Sequence, residues 1–309
     1  MMFDIRALDN TAWLLEPAWI KRAAVRLQQF PSCPTARDVA TEHKRRMEVA
    51  RNIASTAVRG VKGKIGIIPI YGMIEQRTSP IMEKLGGTST EEIGVMLDVL
   101  LADKSVDAIV YDVDSPGGTS YGVEELSDKM FAARERKKTY SIANSMSASA
   151  GQWLSSSAGF SAATLGADVG SIGVYCVHID ESKAIEAQGL TVTMVTAGKY
   201  KTEYSPFAPL SDEARENLQM QVDVTYGKFL NAMKRNRNTS LEDVRKNYGQ
   251  GRLMNAQQAK DVGMIDRVMT MEELLTQLMG KSSNGTAGRV AASEVLRLRH
   301  EHRKRTLVA

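Results

Sequence analysis

The sequence is poor in the residue types on which several classes of protein depend. Only two cysteines and four histidines occur among its 309 residues, and the net charge is only +4. Cys33 and Cys176 lie far apart and match no metal-binding spacing, so we expect two reduced thiols rather than a disulfide scaffold or a zinc site. The small net charge excludes a chain-wide attraction to nucleic acids or anionic membranes and leaves only local patches to consider.

Long hydrophobic runs are also missing. Charged residues and Pro17 interrupt the apolar part of residues 1–24, so no region has the length of a signal peptide. No other run approaches the roughly 18 to 20 apolar residues that a membrane span needs. We therefore expect a soluble, cytoplasmic protein that does not bind membranes.

The residues that are present predict a globular α/β fold. Apolar residues make up 43% of the chain and charged residues 25%, which is typical of globular proteins. Helical and β-branched segments alternate from residue 64 onward, which predicts a mainly parallel sheet flanked by helices. The predicted strands are 64–74, 107–118, 139–143, 163–168, 172–180 and 190–198, and the main predicted helices are 89–103, 123–136, 150–155 and 210–237.

Composition divides the chain into three regions. Residues 1–60 are rich in charge, and helical spacing in residues 11–30 and 36–55 predicts an N-terminal helical arm. Residues 61–279 form the predicted main domain. Residues 280–309 combine a Gly/Ser linker with a basic tail, which is typical of a solvated or disordered terminus.

A glycine turn ends the second long predicted strand. DSPGG (114–118) follows DAIVYDV, and open α/β sheets place ligands at such carboxyl ends. Glycines let the backbone approach a ligand closely, although an ordinary β-turn explains SPGG equally well. A phosphate loop is disfavoured because neither a Walker lysine pattern nor G-x-G-x-x-G is present. Asp112 and Asp114 alternate on the strand, but without further ligands they do not predict a metal site.

The stretch SMSASAGQW (145–153) offers Ser145, Ser147 and Ser149 as candidate nucleophiles. The usual base for a serine is histidine, but three of the four histidines, His43, His300 and His302, lie in the arm or the tail, and His178 lies inside a predicted strand. No G-x-S-x-G elbow occurs either. The remaining chemistry is a serine activated by a lysine whose amine is neutral.

Two lysines are candidates for that base. Lys199 and Lys201 follow the predicted strand 190–198 in TAGKYKTEYSPF. Taken alone, each is more often a solvated surface residue than a catalytic one.

Several blocks in order resemble the signal peptide peptidase A family of serine-lysine peptidases, and in particular its phage head-maturation branch. The resemblance spans about residues 64–275 and implies a Clp protease/crotonase-like fold. Its blocks are DSPGG, SMSASAGQW, GSIGV (170–174), AGKYKTEYSPF and GRLMNAQQAKDVGMID (251–266).

The resemblance also implies roles for individual residues. The family's Gly-x-x-Lys pattern selects Lys201 over Lys199. Ala150 stands where the family usually has glycine, and its Cβ narrows the site. The implied roles are Ser149 as nucleophile, Lys201 as general base, Ser171 as the residue that orients the lysine, and Gly117, Gly118 and Ala150 as oxyanion donors.

The function implied by the resemblance is endopeptidase cleavage of scaffold, capsid or portal proteins during prohead assembly, in the host cytoplasm or the prohead interior. A homo-oligomer is expected, with no cofactor and no metal, and with nucleic acid contacted at most through the basic tail. The alternatives are a host-type soluble peptidase, a crotonase-like acyl-CoA enzyme and an inactive assembly protein.

Overall fold

A computed structural model describes residues 13–15, most of 41–51, 58–59, 63–77 and 86–279. Most of the predicted arm and the whole tail 280–309, with Cys33, His43, His300 and His302, lie outside these residues. Among the helices described, none has the length and apolar character needed to cross a bilayer.

The centre of the fold is a sheet in which long parallel strands lie side by side. The order of its main path is β10-β7-β6-β5-β3-β2, and β3, β5, β6, β7 and β10 are parallel. The predicted α/β architecture is thus confirmed. The strands are β1 (Trp13–Leu15), β2 (Val58–Arg59), β3 (Lys64–Glu75), β4 (Thr88–Ser89), β5 (Val106–Thr119), β6 (Lys138–Ala148), β7 (Phe160–Ala163), β8 (Asp168–Gly170), β9 (Leu253–Asn255) and β10 (Arg267–Val268).

Helices cover both faces of this sheet. A large core on one face joins α1, α2, α3 and α5 to the strands, and a smaller core on the other face joins them to α8. Burial on both faces explains the nearly continuous apolar runs in β3 and β5. The helices are α1 (Thr90–Ala102), α2 (Val123–Ala132), α3 (Ala150–Ser156), α4 (Ser182–Ala187), α5 (Asp212–Arg237), α6 (Leu241–Asn247), α7 (Ala256–Asp261) and α8 (Met271–Met279).

The start of α1 follows from local sequence. Ser89 accepts a hydrogen bond from the Glu92 amide, and the Glu92 side chain accepts one from the Ser89 amide, which completes a capping box. Arg46, from the helical residues 44–48, donates to the same Glu92 carboxylate at 2.6 Å. An ion pair therefore attaches this part of the predicted arm to the main domain.

Several predicted elements differ from the structure. Residues 190–198 form no strand and 172–180 have only isolated bridges, at Tyr175 and Val177, and the predicted strand 163–168 is interrupted by a turn between β7 and β8. Strands need a hydrogen-bonded neighbour, which β propensity alone does not supply.

Two further expectations were wrong. Trp13–Leu15 form strand β1 instead of part of a helix, since they pair with backbone groups at the end of β5. Ser145 and Ser147 lie inside β6, which continues to Ala148 beyond the predicted strand end at residue 143. In both cases tertiary pairing overrides the local pattern.

Candidate active site

Ser149 occupies the sharp junction between β6 and α3. Its φ of 54° and ψ of −116° put it in the left-handed half of the Ramachandran plot, which residues with a side chain rarely adopt. Its amide donates to the Gly170 carbonyl at 2.8 Å, and its carbonyl accepts from the Trp153 amide at 2.9 Å. Such strain costs on the order of 1 to 3 kcal/mol and concentrates at functional sites.

The Ser149 side chain is buried but unsatisfied. The residue is only 1% exposed, and its Oγ has no hydrogen-bond partner among the described residues. A buried hydroxyl without a partner costs about 1 to 3 kcal/mol. A strained backbone and an unpaired buried hydroxyl at one residue are both costly, and such costs are typical of functional sites.

Strand β8 brings Ser171 beside Ser149. Ala148 and Gly170 are paired residues of the parallel ladder between β6 and β8, so the residues that follow them are neighbours at the end of the sheet. Ser171 has a φ of 53° and is 6% exposed. Its amide donates to the Arg252 carbonyl at 2.9 Å, which holds the turn in place.

The glycine segment forms the last residues of β5. The Gly117 amide donates to Ser115 Oγ at 3.1 Å, and Ser115 Oγ donates to the Gly72 carbonyl at 2.7 Å. A Cβ at Gly118 would lie 1.7 Å from the Ile74 carbonyl oxygen, so only glycine fits there. Because the Gly117 amide is engaged by Ser115, Gly118 is the stronger oxyanion candidate of the two. Sequence reasoning did not single out Ser115, although a serine that bonds the nearby backbone is a recognised turn signal.

The start of α3 packs directly against this segment. Ala150 is the first residue of the helix and is fully buried, and amides in a first turn have no acceptor within their own helix. A Cβ at Gly151 would lie 3.1 Å from the Ser115 Cβ, which shows how closely α3 approaches β5. Ser115 therefore lies close to both the glycine segment and the first turn of α3.

The other two serines of the stretch have ordinary environments. Ser147 is fully buried and its Oγ donates to Gln152 Oε1 at 2.9 Å, whereas Ser145 is exposed on β6. Packing and solvent account for both side chains.

The carboxyl end of α3 is held by buried polar side chains. Arg134 donates from Nε to the Ser157 carbonyl at 2.8 Å and from Nη2 to the Ser156 carbonyl at 2.9 Å. Asn236 Nδ2 donates to the hydroxyls of Ser156 and Ser157 at 2.9 and 3.1 Å. Burial lowers the pKa of Arg134 to about 10, which leaves it a cation at neutral pH. These contacts hold the helix that begins at Ser149.

The two candidate lysines lie on an exposed segment. Lys199 pairs with Glu213 at 2.9 Å, and its hydrogen bonds to Tyr200 and Glu213 raise its pKa, so it is protonated and unsuited to act as a base. Lys201 is exposed, and its side chain makes no hydrogen bond or ion pair with the described residues. Within one chain, Lys201 is therefore not in contact with Ser149, whose Oγ has no partner.

A partly buried carboxyl lies at the same edge of the sheet as the glycine segment. Glu75 follows Ile74, which pairs with Gly118 in the ladder between β3 and β5. Burial raises the pKa of Glu75 to about 7. No cluster of three His, Cys, Asp or Glu side chains suited to a metal ion occurs in the described part of the chain, and the Asp112 carboxylate accepts a hydrogen bond from the Tyr71 hydroxyl.

Comparisons with known proteins identify the relatives of this site. The chain is 31% identical over 216 residues to capsid assembly protease C of Escherichia phage lambda, covering 70% of this chain and 49% of that protein. It is 24% identical over 234 residues to head-tail preconnector protein GP5 of Enterobacteria phage P21, covering 74% and 46%. A putative signal peptide peptidase SppA of Enterococcus faecium is 29% identical over 177 residues, covering 57% and 51%. The chain spans about half the length of these relatives.

A family comparison matches the part of the chain that contains the candidate residues. Residues 132–284 fit the model described as peptidase family S49. This range holds Ser149, Ser171 and Lys201, while the glycine segment precedes it. Residues 132–284, which carry Ser149, Ser171 and Lys201, thus match peptidase family S49.

Proposed function

We propose that this chain is a serine endopeptidase in which Ser149 is the nucleophile and Lys201 the general base. The observation that carries the proposal is the buried, unpaired Oγ of Ser149 on a strained backbone at the start of α3. The match of residues 132–284 to a peptidase family supports it.

The proposed mechanism begins with a neutral Lys201 amine. The amine accepts the Ser149 Oγ proton as Oγ bonds to the carbonyl carbon of the substrate, and the amides of Gly118 and Ala150 donate to the resulting oxyanion. Collapse breaks the C–N bond, and the proton passes to the leaving amine. Water then hydrolyses the ester, again with the lysine as base. Ser171, next to Ser149, orients the amine.

Lys201 must come into contact with Ser149 for this chemistry, and we propose that assembly brings it there. Residues 186–201 are all exposed in the single chain, and they include Leu190 at 60%, Val192 at 44% and Val195 at 96% exposure. Exposed apolar side chains on a segment with the composition of a strand favour pairing of that segment with another surface. A neighbouring subunit of a homo-oligomer would bury this segment and place its Lys201 in a dry site, where the amine loses its proton more readily.

The proposed substrates are structural proteins of a phage head, namely scaffold, capsid or portal proteins, during assembly in the host cytoplasm. The names of two relatives, a capsid assembly protease and a head-tail preconnector protein, support this choice. This proposal about the substrates is independent of the proposed chemistry, since the same dyad could act on other proteins.

The test is co-expression with capsid and scaffold proteins of a phage head, followed by mass spectrometry of the products. Wild type and Lys199→Ala should give the same new termini, whereas Ser149→Ala and Lys201→Ala should lower cleavage by at least about 10³-fold. Lys199→Ala is a matched control because its lysine lies two positions from Lys201. Absence of processed fragments with wild type would instead favour an inactive assembly protein.

Mixing the two inactive variants tests whether the dyad is shared between subunits. If Ser149 and Lys201 come from different subunits, co-assembly of Ser149→Ala with Lys201→Ala creates sites that contain both native residues, and part of the activity returns. If the mixture stays as inactive as either variant alone, the dyad lies within one chain.

A further inference from the structure

The end of β5 offers a backbone edge that β6 does not cover. On one side β5 pairs with β3 as far as Gly118, opposite Ile74. On the other side its pairing with β6 ends at Ser115 opposite Ser147, because β6 stops at Ala148 and the chain turns into α3. The backbone of Gly117–Thr119 therefore extends beyond β6 next to the turn that holds Ser149.

The N-terminal part of the same chain fills this position. Strand β1 pairs antiparallel with β5, in the register Trp13 to Thr119, Leu14 to Gly118 and Leu15 to Gly117. Leu15 is thus the β1 residue nearest the end of β6. Strand β1 is therefore an extended backbone that lies beside β5 where β6 no longer pairs with it.

An extended peptide is the ligand that such an edge is suited to bind. An added strand gains affinity from main-chain hydrogen bonds, which are independent of side-chain identity. Glycines at Gly117 and Gly118 remove Cβ atoms that would hinder approach from above or below the strand. An endopeptidase must hold its substrate extended beside the nucleophile, and this edge ends at the turn of Ser149.

An endopeptidase with this edge would bind extended peptide substrates along Gly117–Thr119 by antiparallel β-pairing, and we propose that Trp13–Leu15 occupies the edge as an internal competitor. The part of this proposal that concerns substrate rests on the proposed peptidase function, whereas occupation by β1 does not. Substrate must displace β1 before its scissile bond reaches Ser149. The N-terminal segment thereby keeps the site closed until substrate is locally concentrated, as it is inside an assembling shell.

Amide hydrogen exchange tests the occupation without any need for catalysis. The experiment uses full-length protein that carries Ser149→Ala, and it follows a fragment spanning residues 115–121. Leu14→Pro/Leu15→Pro disfavours β1 because proline cannot donate to a ladder, and exchange should become about tenfold faster or more. A synthetic peptide of residues 9–19 should restore the protection when added to this variant. Arg6→Pro/Ala7→Pro, outside β1, is the control and should leave exchange unchanged.

A milder variant keeps the test valid if the proline variant fails to fold. Trp13→Gly/Leu14→Gly/Leu15→Gly keeps the backbone donors but lowers strand propensity, and it should give an intermediate exchange rate. Unchanged exchange in both variants, in protein whose unfolding transition is intact, would overturn the proposal.

Activity measurements separate this inference from the proposed function. With Ser149 intact, Leu14→Pro/Leu15→Pro should raise kcat/KM severalfold on capsid substrate, and the 9–19 peptide should inhibit competitively. If exchange responds as expected but no variant cleaves any substrate, the peptidase function fails and β1 occupation stands. If cleavage occurs at equal rates in all variants and exchange does not change, the function stands and the internal competitor is wrong.

Discussion

At the scale of single residues, Ser149 shows how this molecule gives up stability at one position. Its left-handed backbone and its buried hydroxyl without a partner are both unfavourable, and each has a cost on the order of 1 kcal/mol or more. No packing advantage to the chain explains the choice of serine there. The proposed role of Ser149 as nucleophile would account for both costs.

Replacing Ser149 by glycine should therefore stabilise the protein while abolishing cleavage. Glycine adopts the left-handed conformation without strain and removes the unsatisfied hydroxyl, so we expect the free energy of unfolding to rise by about 1 kcal/mol. Urea unfolding followed by circular dichroism measures this change. The control is Ser145→Gly, at an exposed position of β6. It should lower the free energy of unfolding by roughly 0.5 to 1 kcal/mol. A loss of stability in Ser149→Gly as large as in the control would contradict the strain argument.

Glu75 predicts how stability depends on pH. Burial raises its pKa to about 7, from an ordinary value of 4.5, so between these values the folded protein holds a proton that the unfolded chain releases. The free energy of unfolding should therefore fall as pH rises from about 5 to about 8, by roughly 1 to 3 kcal/mol.

Glu75→Gln carries no titrating group and should lack this part of the pH dependence. The free energy of unfolding of Glu75→Gln, relative to that of wild type, should rise toward alkaline pH. Urea unfolding at the two ends of the range measures both proteins, and parallel pH profiles would show that Glu75 is solvated in solution. Glu91→Gln, at a partly exposed ion pair with Arg77, serves as the control.

At the scale of elements, the position of α3 depends on contacts at both of its ends. Its start packs on Ser115 through Gly151, and its end is held by Arg134 and Asn236. Local sequence predicts the helix but not these contacts, since Asn236 lies on α5, far along the chain. Two segments were predicted wrongly: residues 172–180 have only isolated bridges, and residues 190–198 have a strand composition but form no strand in the described chain.

Asn236→Leu tests the support at the end of α3. The substitution removes donors to the Ser156 and Ser157 hydroxyls inside a buried site, and we expect a loss of about 1 to 3 kcal/mol in the free energy of unfolding. Asn247→Leu, at an exposed position on α6, should change it by less than about 0.5 kcal/mol. Chemical denaturation of both variants provides the measurement, and equal effects would mean that the buried bonds contribute nothing specific.

At the scale of the whole molecule, the exposed apolar residues of 190–195 predict self-association. Val195→Asp places a charge on a side chain that is 96% exposed in the single chain, so it should not disturb the monomer but should weaken an interface. Light scattering after size-exclusion chromatography should show an oligomer for wild type and smaller species for the variant. The matched control is Leu165→Asp, at a 77% exposed position in the turn after β7, which should leave the mass unchanged. A monomeric wild type at micromolar concentration would refute the prediction.

The sequence by itself determined the elements that local patterns encode. The β-branched runs of β3 and β5, the capping box at Ser89 and the length of α5 follow from periodicity and local hydrogen bonding. The shortage of histidines indicated a serine activated by a lysine, and the resemblance to a peptidase family implied Ser149, Ser171 and Lys201 as the candidates.

Only the tertiary structure decided what depends on contacts between distant segments. The strained backbone of Ser149 requires the Gly170 carbonyl, the role of Ser115 requires Gly72, and the strand conformation of Trp13–Leu15 requires the open edge of β5. Residues 190–198 have the composition of a strand, yet they remain unpaired in the described chain since a strand is stable only against a neighbour. Backbone pairing is a property of two segments at once, and no single segment of sequence contains it.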